Sequence, residues 1–256
     1  MTDIQIDLQP PIARVTLNRP DKRNAVSAAM WRELLALAGS LPGTAGTRAV
    51  LLGGAGTQAF SAGADIAEMQ QNLQHPDRMR EMQQVVQDAQ EAWASLPLPT
   101  IAVIRGACTG GGCGLALCCD LRLATPDAFF AIPPARLGLA YSLADTKRLY
   151  DLVGPSRAKE ILFTARRVDA AEALALGLVN EIVAADRLDA HAQALATRIC
   201  ANAGNSVRAA KTVVNMISAG TATETTASRR HYDESFGSAE FLEGARAFLE
   251  KREPRF

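Results

Sequence analysis

The chain is short of several things, and each shortage closes off a class of function. Aromatic side chains make up only 5% of its 256 residues, too few to suggest a base-stacking surface. Neither sign of charge is in excess: 27 Lys and Arg balance 27 Asp and Glu. No basic face is therefore expected for nucleic acid or for an anionic membrane. No apolar run approaches the length that a bilayer span needs. The opening residues, MTDIQIDLQPPIARV, contain neither a basic segment nor an apolar one, so no secretory leader is expected and the expected compartment is the cytoplasm. Cys108, Cys113, Cys118, Cys119 and Cys200 form no C-x-x-C pair, and His75, His191 and His231 stand far apart. Reduced, buried thiols are expected, with no metal site and no redox cofactor.

What is present is regular punctuation. Ile4–Leu8 and Ile12–Leu17 alternate apolar and polar residues about Gln9-Pro10-Pro11 and read as a hairpin. Ser27 can cap a helix to about Leu37, with Met30, Leu34 and Leu37 on one face. Arg48–Leu52 reads as a buried strand. Asp65 opens a helix that breaks near His75-Pro76, and a second run over Arg78–Ser95 halts at Leu96-Pro97-Leu98-Pro99. Strand Thr100–Arg105 leads to helix Gly111–Cys119, then to strands Asp120–Ala124 and Ala128–Ile132. Ser142 caps a helix to Val153, and Pro155 suits the first position of another. Asp169 caps Ala170–Leu176, Gly177 closes it, and Leu178–Val183 reads as the last strand. From Asp186 the chain is almost all helical. The pattern predicts an α/β core over residues 1–190 and a helical region over residues 191–256 that packs on the core or on another subunit.

Two strand-to-helix junctions are rich in glycine: LLGGAGTQAFSAGADI at 51–66 and GACTGGGCGLAL at 106–117. Gly54, Gly56 and Ala59 fit a loose dinucleotide fingerprint, but the stretch from Thr57 to Gly63 reads as continuing loop where a helix should begin. The second junction has no Lys-Ser/Thr and so is no phosphate loop. An oxyanion hole fits better. A helix N-terminus offers free N–H groups and partial positive charge, and glycine leaves room for an oxygen to approach. Close packing of helix on strand would place the same glycines.

FSAGADI (60–66), GGGCGLALCCD (110–120), LNRPDKRNAVS (17–27) and TARRVDAAEALALGLVNEIV (164–183), with the ending FLEKREPRF (248–256), together resemble the crotonase, or enoyl-CoA hydratase/isomerase, superfamily over essentially the whole chain. The resemblance implies a crotonase-like spiral of ββα units with a C-terminal helical oligomerisation region, as a trimer or a dimer of trimers. It implies an acyl-CoA thioester as substrate, no separate cofactor, and a thioester enolate held by two backbone N–H groups. Carried over by motif, those donors are Ala64 and Gly111, with Gly110 beside them. The loop Arg23-Asn24-Ala25 and the segment Ala62–Ile66, which includes Asp65, resemble the parts that hold pantetheine and adenine. Phe248 and Lys251 stand where the family's last helix touches CoA; a core aromatic and a solvated charge are the plain alternatives.

Two expected residues are missing. The family's hydratases carry one glutamate at the fifth position of G-G-G-C-E and another after a proline beyond the next strand pair. Here those positions are Gly114 and Pro134, and neither side chain can move a proton. A third carboxylate used by some relatives falls at Ser142. The run PPARLGLAYSL (133–143) resembles the methylmalonyl-CoA decarboxylase branch, in which a tyrosine in the place of Tyr141 meets the substrate carboxylate; that branch keeps a glutamate where Gly114 stands and a histidine where Ala64 stands. The expected chemistry is therefore enolate stabilisation without the usual acid–base pair, with decarboxylation of a malonyl-type thioester as the specific reading. The alternatives are a non-catalytic acyl-CoA-binding protein, and an isomerase or thioester hydrolase using Asp145 or Tyr141. Against a chemical role, Tyr141 could merely fill a loop and Asp145 could be a first-turn helix charge.

Overall fold

Residues 2–256 are described by a computed structural model. The expected hairpin is β1 (Ile4–Gln9) and β2 (Ile12–Leu17), antiparallel with Ile4 opposite Leu17. α1 (Ala28–Ser40) starts where Ser27 accepts the Met30 N–H, and it buries Met30, Trp31 and Leu34. Three turns of a spiral follow, and each lays one strand in a large sheet and the next in a small one. The first holds β3 (Ala49–Gly54) and β4 (Ala59–Ser61), then α2 (Ile66–Asn72) and α3 (Pro76–Ala94). The second holds β5 (Thr100–Ile104), β6 (Ala107–Thr109) and α4 (Gly111–Leu117). The third holds β7 (Leu121–Ala124), β8 (Phe129–Ala131) and α5 (Leu143–Thr164). The chain then runs through β9 (Arg167–Asp169), α6 (Ala170–Ala175), β10 (Glu181–Ile182), α7 (Leu188–Cys200), α8 (Gly204–Ser218), α9 (Thr226–Phe236) and α10 (Ala239–Leu249).

The large sheet is ordered β1-β2-β3-β5-β7-β10 and is parallel beyond the hairpin; the small sheet is ordered β4-β6-β8-β9. This is the α/β spiral of ββα units. Three strands of the small sheet were not legible as strands. β4 lies in the stretch expected to be loop, β6 in the second glycine junction, and β9 ahead of the Asp169 cap. Each spans three residues, too few to show alternation, and exists through pairing with its neighbours rather than local propensity. The last strand is also shorter than expected. Only Glu181 and Ile182 pair, with β7, while Leu178 and Val179 are buried in the core instead. The break expected before Pro155 is present inside α5, where Gly154 leaves helical geometry (φ 75°, ψ 169°).

One face of the large sheet meets the main core, which includes Leu34, Leu52, Phe60 and Trp93. The other face carries α7, whose Leu188, Ala192, Ala196 and Cys200 recur every four residues and pack on Leu51, Ile101, Val103 and Leu123. That helix therefore belongs with the sheet. α8, α9 and α10 differ, for between them they bury only Ala247. Lys211 of α8 ties them to the core by donating to the Leu98 carbonyl (2.9 Å) and to Asp120 Oδ2 (2.8 Å).

Candidate active site

The two glycine junctions meet. Thr109 Oγ1 donates to the Ala62 carbonyl (2.8 Å), and a Cβ on Gly63 would stand 3.4 Å from Gly111 N. Residues 61–65 are held from the other side by Val26, which donates to the Gly63 carbonyl (2.8 Å) and accepts from Asp65 N–H (3.3 Å). In that parallel bridge the peptide groups flanking Ala64 face Val26, so the Ala64 N–H points away from it. Gly111 is the first residue of α4, where an N–H has no partner within the helix. Among the described residues neither N–H donates to a protein acceptor.

The glycines of the second junction have separate jobs. Gly110 takes φ 53° and ψ −125°, a conformation that a side chain would resist, and this turns the chain into α4. At Gly112 a Cβ would lie 2.5 Å from Ser61 Cβ, so its absence lets the start of α4 rest on β4. At Gly114 a Cβ would meet three polar groups: Gln90 Nε2 at 2.3 Å, Asp145 Oδ1 at 3.2 Å and Tyr141 OH at 3.4 Å. The position that holds a glutamate in the family's hydratases is thus closed over by polar side chains from two helices and a loop, with the Gln90 amide in the place of its Cβ.

The members of that cluster are buried to different ends. Tyr141 OH is buried and has no hydrogen-bond partner among the described residues. Burial, and then the nearby Cys113 thiol and Asp145 carboxylate, push its pKa well above the usual tyrosine value, so it remains a proton donor at neutral pH. Gln90, on α3, is 1% exposed, and its carboxamide nitrogen is the atom nearest to where a Gly114 Cβ would be. Asp145 is 4% exposed. Ser142 Oγ donates to its Oδ2 (2.8 Å) and Arg148 reaches Oδ1 at 3.4 Å. Burial nonetheless outweighs these two partners and raises the carboxyl pKa. Ser142 meanwhile caps α5 by accepting the Asp145 N–H (3.0 Å). Pro134 opens a single, largely exposed turn, Pro134–Leu137, and supplies no titratable group.

The remaining expected residues are placed as follows. Asp65 caps α2 by accepting from Ala67 and Glu68 N–H, and it pairs with Arg19 at 2.7 Å and Lys22 at 3.6 Å. The Arg19 hydrogen bond is the main reason its carboxyl stays below the ordinary value. Its carboxylate thus organises the loop. The Arg23 carbonyl accepts from Ala62 N–H (2.9 Å), and the Ala25 carbonyl accepts from Arg19 Nη1 (2.8 Å), so the Arg23–Ala25 loop is stitched to the first junction. Ile66 beside it is 71% exposed. Phe248 and Lys251 are not gathered with these loops. α10 is fastened by Glu240, which accepts from Gly204 and Asn205 N–H, and by the bond from Arg48 to the Phe256 carbonyl. These lie at the end of the sheet where β3 begins, and Phe248 is 83% exposed.

Gln90, Arg148 and Arg19 were not anticipated. The available signal for Gln90 was a polar residue on the apolar stripe Val86, Ala89, Trp93 of α3. Among the described residues no group of three or more His, Cys, Asp or Glu side chains converges as a metal site. The thiols near the site are poor nucleophiles: burial pushes Cys119 up to about 12 and raises Cys108 and Cys118 as well.

The profile of the enoyl-CoA hydratase/isomerase family matches residues 7–256. The chain belongs to that family. It is 33% identical over 257 residues to the short-chain-enoyl-CoA hydratase of Clostridium acetobutylicum, covering 98% of this chain and 96% of the relative. Among solved structures it resembles an enoyl-CoA hydratase/carnithine racemase from Magnetospirillum magneticum (TM-score 0.94, 34% identity, 100% and 96% covered) and an enoyl-CoA hydratase from Bacillus anthracis (TM-score 0.91, 33% identity, 100% and 99% covered). As a member of the enoyl-CoA hydratase/isomerase family the chain is an acyl-CoA enzyme. Among the described residues no helix is long and apolar enough to cross a membrane.

Proposed function

We propose that this family member binds an acyl-CoA thioester with its carbonyl oxygen between the Ala64 and Gly111 N–H groups, stabilises the enolate, and is a poor hydratase. The observation that carries the reading is the pair of adjoining junctions with two unengaged N–H groups, one helical turn from a glycine where a glutamate would stand. Donors of this kind are worth about 3–4 kcal/mol each on a developing oxyanion. With glycine at 114 and proline at 134 no side chain at either place activates water, and loss of general acid–base help costs about 10²–10⁴-fold. The loop bearing Tyr141 also exposes Leu137, Leu139 and Leu143, an apolar rim for an acyl chain. The Arg23–Ala25 loop and residues 62–66 are the proposed hold on the CoA moiety, with Phe248 and Lys251 supplied by a neighbouring copy. The exposed Phe236, Phe241, Leu242 and Phe248 suit α9 and α10 to self-assembly as a trimer or a dimer of trimers.

For the reaction itself we propose decarboxylation of a malonyl-type thioester. Loss of CO₂ leaves its electron pair on the α-carbon and forms the enolate without a base; a proton from solvent then goes to the α-carbon and completes the saturated thioester. Tyr141 OH, a donor with no partner, orients the departing carboxylate. A second reading is favoured by the buried Asp145: a carboxyl of raised pKa beside Gly114 is suited to moving a proton in isomerisation or thioester hydrolysis. The test is a mass-spectrometric screen of acyl-CoA thioesters that includes crotonyl-, methylmalonyl- and 3-hydroxyacyl-CoA. Methylmalonyl-CoA giving propionyl-CoA is expected, with little hydration of crotonyl-CoA. Rapid hydration would overturn the reading, and turnover of none would favour a binding protein.

A further inference from the structure

We infer that Gln90 is a specificity-determining residue: its carboxamide, with Tyr141 OH, forms an oxygen-binding pocket at Gly114 that selects thioesters with a polar oxygen on the acyl group. The inference rests on the reading of this cleft as the acyl site and deepens it by naming a substrate class.

Gly114 leaves a space that a side chain of its own would fill, and the group entering that space comes from another helix. Gln90 Nε2 lies 2.3 Å from where the Gly114 Cβ would be, closer than any real contact, with Tyr141 OH at 3.4 Å and Asp145 Oδ1 at 3.2 Å. A Gly114 side chain and the Gln90 amide as placed compete for the same space. Of the three polar groups that converge on this point, Tyr141 OH is buried without a partner, and hydrogen-bonding capacity left unspent in a buried place is costly unless a ligand uses it. Two of them, the amide N–H and the phenol, can donate to the same incoming oxygen. Asp145 can accept from a hydroxyl when ionised, or donate to a carboxylate when protonated, which its burial favours. A plain alkyl chain would use none of this and would leave the pocket unsatisfied. Discrimination of the kind made by a polar pocket therefore favours acyl groups that bear an oxygen substituent.

The experiment compares three probes: methylmalonyl-CoA, 3-hydroxybutyryl-CoA and butyryl-CoA. Each displaces a fluorescent CoA thioester from the full-length protein, read before turnover. Wild type is expected to prefer at least one oxygenated thioester over butyryl-CoA. Gln90→Leu should lower that ratio roughly five- to tenfold. Gln90→Ala serves as a second truncation, and Gly114→Ala should lower the ratio while leaving Gln90 in the sequence, because its new methyl pushes the amide aside. Thermal unfolding of each variant reports whether a general loss of structure is responsible. Preference for methylmalonyl-CoA supports the pocket and agrees with decarboxylation; preference for 3-hydroxybutyryl-CoA supports the pocket and favours proton transfer at Asp145. If wild type binds butyryl-CoA as well as either oxygenated probe, or if folded Gln90 variants keep the wild-type ratio, the inference is wrong while the acyl-CoA reading stands. If wild type binds none of the three, both are wrong.

Discussion

Two buried aspartates lie on either side of the proposed carbonyl position, and their surroundings are opposite. Asp65 is used up. It caps α2, pairs with Arg19 and Lys22, and its pKa is held down mainly by the Arg19 hydrogen bond. Asp145 is held by one serine and a long contact to Arg148, beside a tyrosine hydroxyl with no partner, and burial raises its pKa. The first half of the site is a finished scaffold. The second carries an unsatisfied tyrosine hydroxyl, the condition expected where a protein gives up stability for chemistry. In the function proposed above, positioning falls to residues 61–66 and 109–112 and selectivity to the side chains around Gly114.

The comparison is broken most severely at the donors. Gly111→Pro deletes one N–H at the first helical position, where proline is favoured and where a Cβ would sit in ordinary contact, 3.4 Å from Trp31 Cζ2. Steady-state turnover of whichever thioester reacts should fall about 10²–10³-fold with thermal stability nearly intact. Truncating the satisfied aspartate should do the reverse. Asp65→Ala removes a cap and the 2.7 Å partner of Arg19, so urea unfolding should show a loss of about 1–3 kcal/mol.

A third change tests the crowding at position 114. Gly114→Glu alone must displace the Gln90 amide and should cost about 1–3 kcal/mol. Adding Gln90→Ala makes room, so the double variant should be more stable than the two single effects added together, by roughly 1 kcal/mol. Strict additivity in denaturant unfolding would mean that the two side chains do not compete.

The smallest effect is expected at Asp145. A raised folded pKa means that ionised Asp145 costs stability above that pKa, and that folding is favoured as pH falls toward the ordinary value of 3.8. Asp145→Asn should therefore gain up to about 1 kcal/mol at neutral pH and flatten the stability profile in the window just above pH 3.8. Asp65 has the opposite sign: its contribution is present above 3.8 and lost as pH falls below it. Thermal melts of the two variants across pH 3–7 separate the pair.

Much of the scaffold was legible because local chemistry dictates it. Ser27, Asp65, Ser142 and Asp169 each sit where a helix needs a cap, and each caps one. Gly154-Pro155 breaks α5 for reasons contained in two residues. The small sheet was not legible, because three-residue strands owe their existence to partners elsewhere in the chain. The same holds in the site. The glycine junctions stood out by composition, but only the fold brings them together, and Gln90 reaches Gly114 from a helix 24 positions earlier. Asp145 reads in sequence as a first-turn charge of the kind that points to water, and it is instead buried, because α5 packs against α4.

The account turns on the claim that Ala64 and Gly111 polarise a thioester carbonyl. The most direct measurement is the vibrational spectrum of butyryl-CoA, carrying ¹³C in its carbonyl, bound to the protein. The carbonyl stretch is predicted to move to lower frequency than in free ligand, and to return toward the free value in Gly111→Pro. A bound carbonyl that absorbs where the free one does would contradict the account, whatever reaction the protein is found to perform.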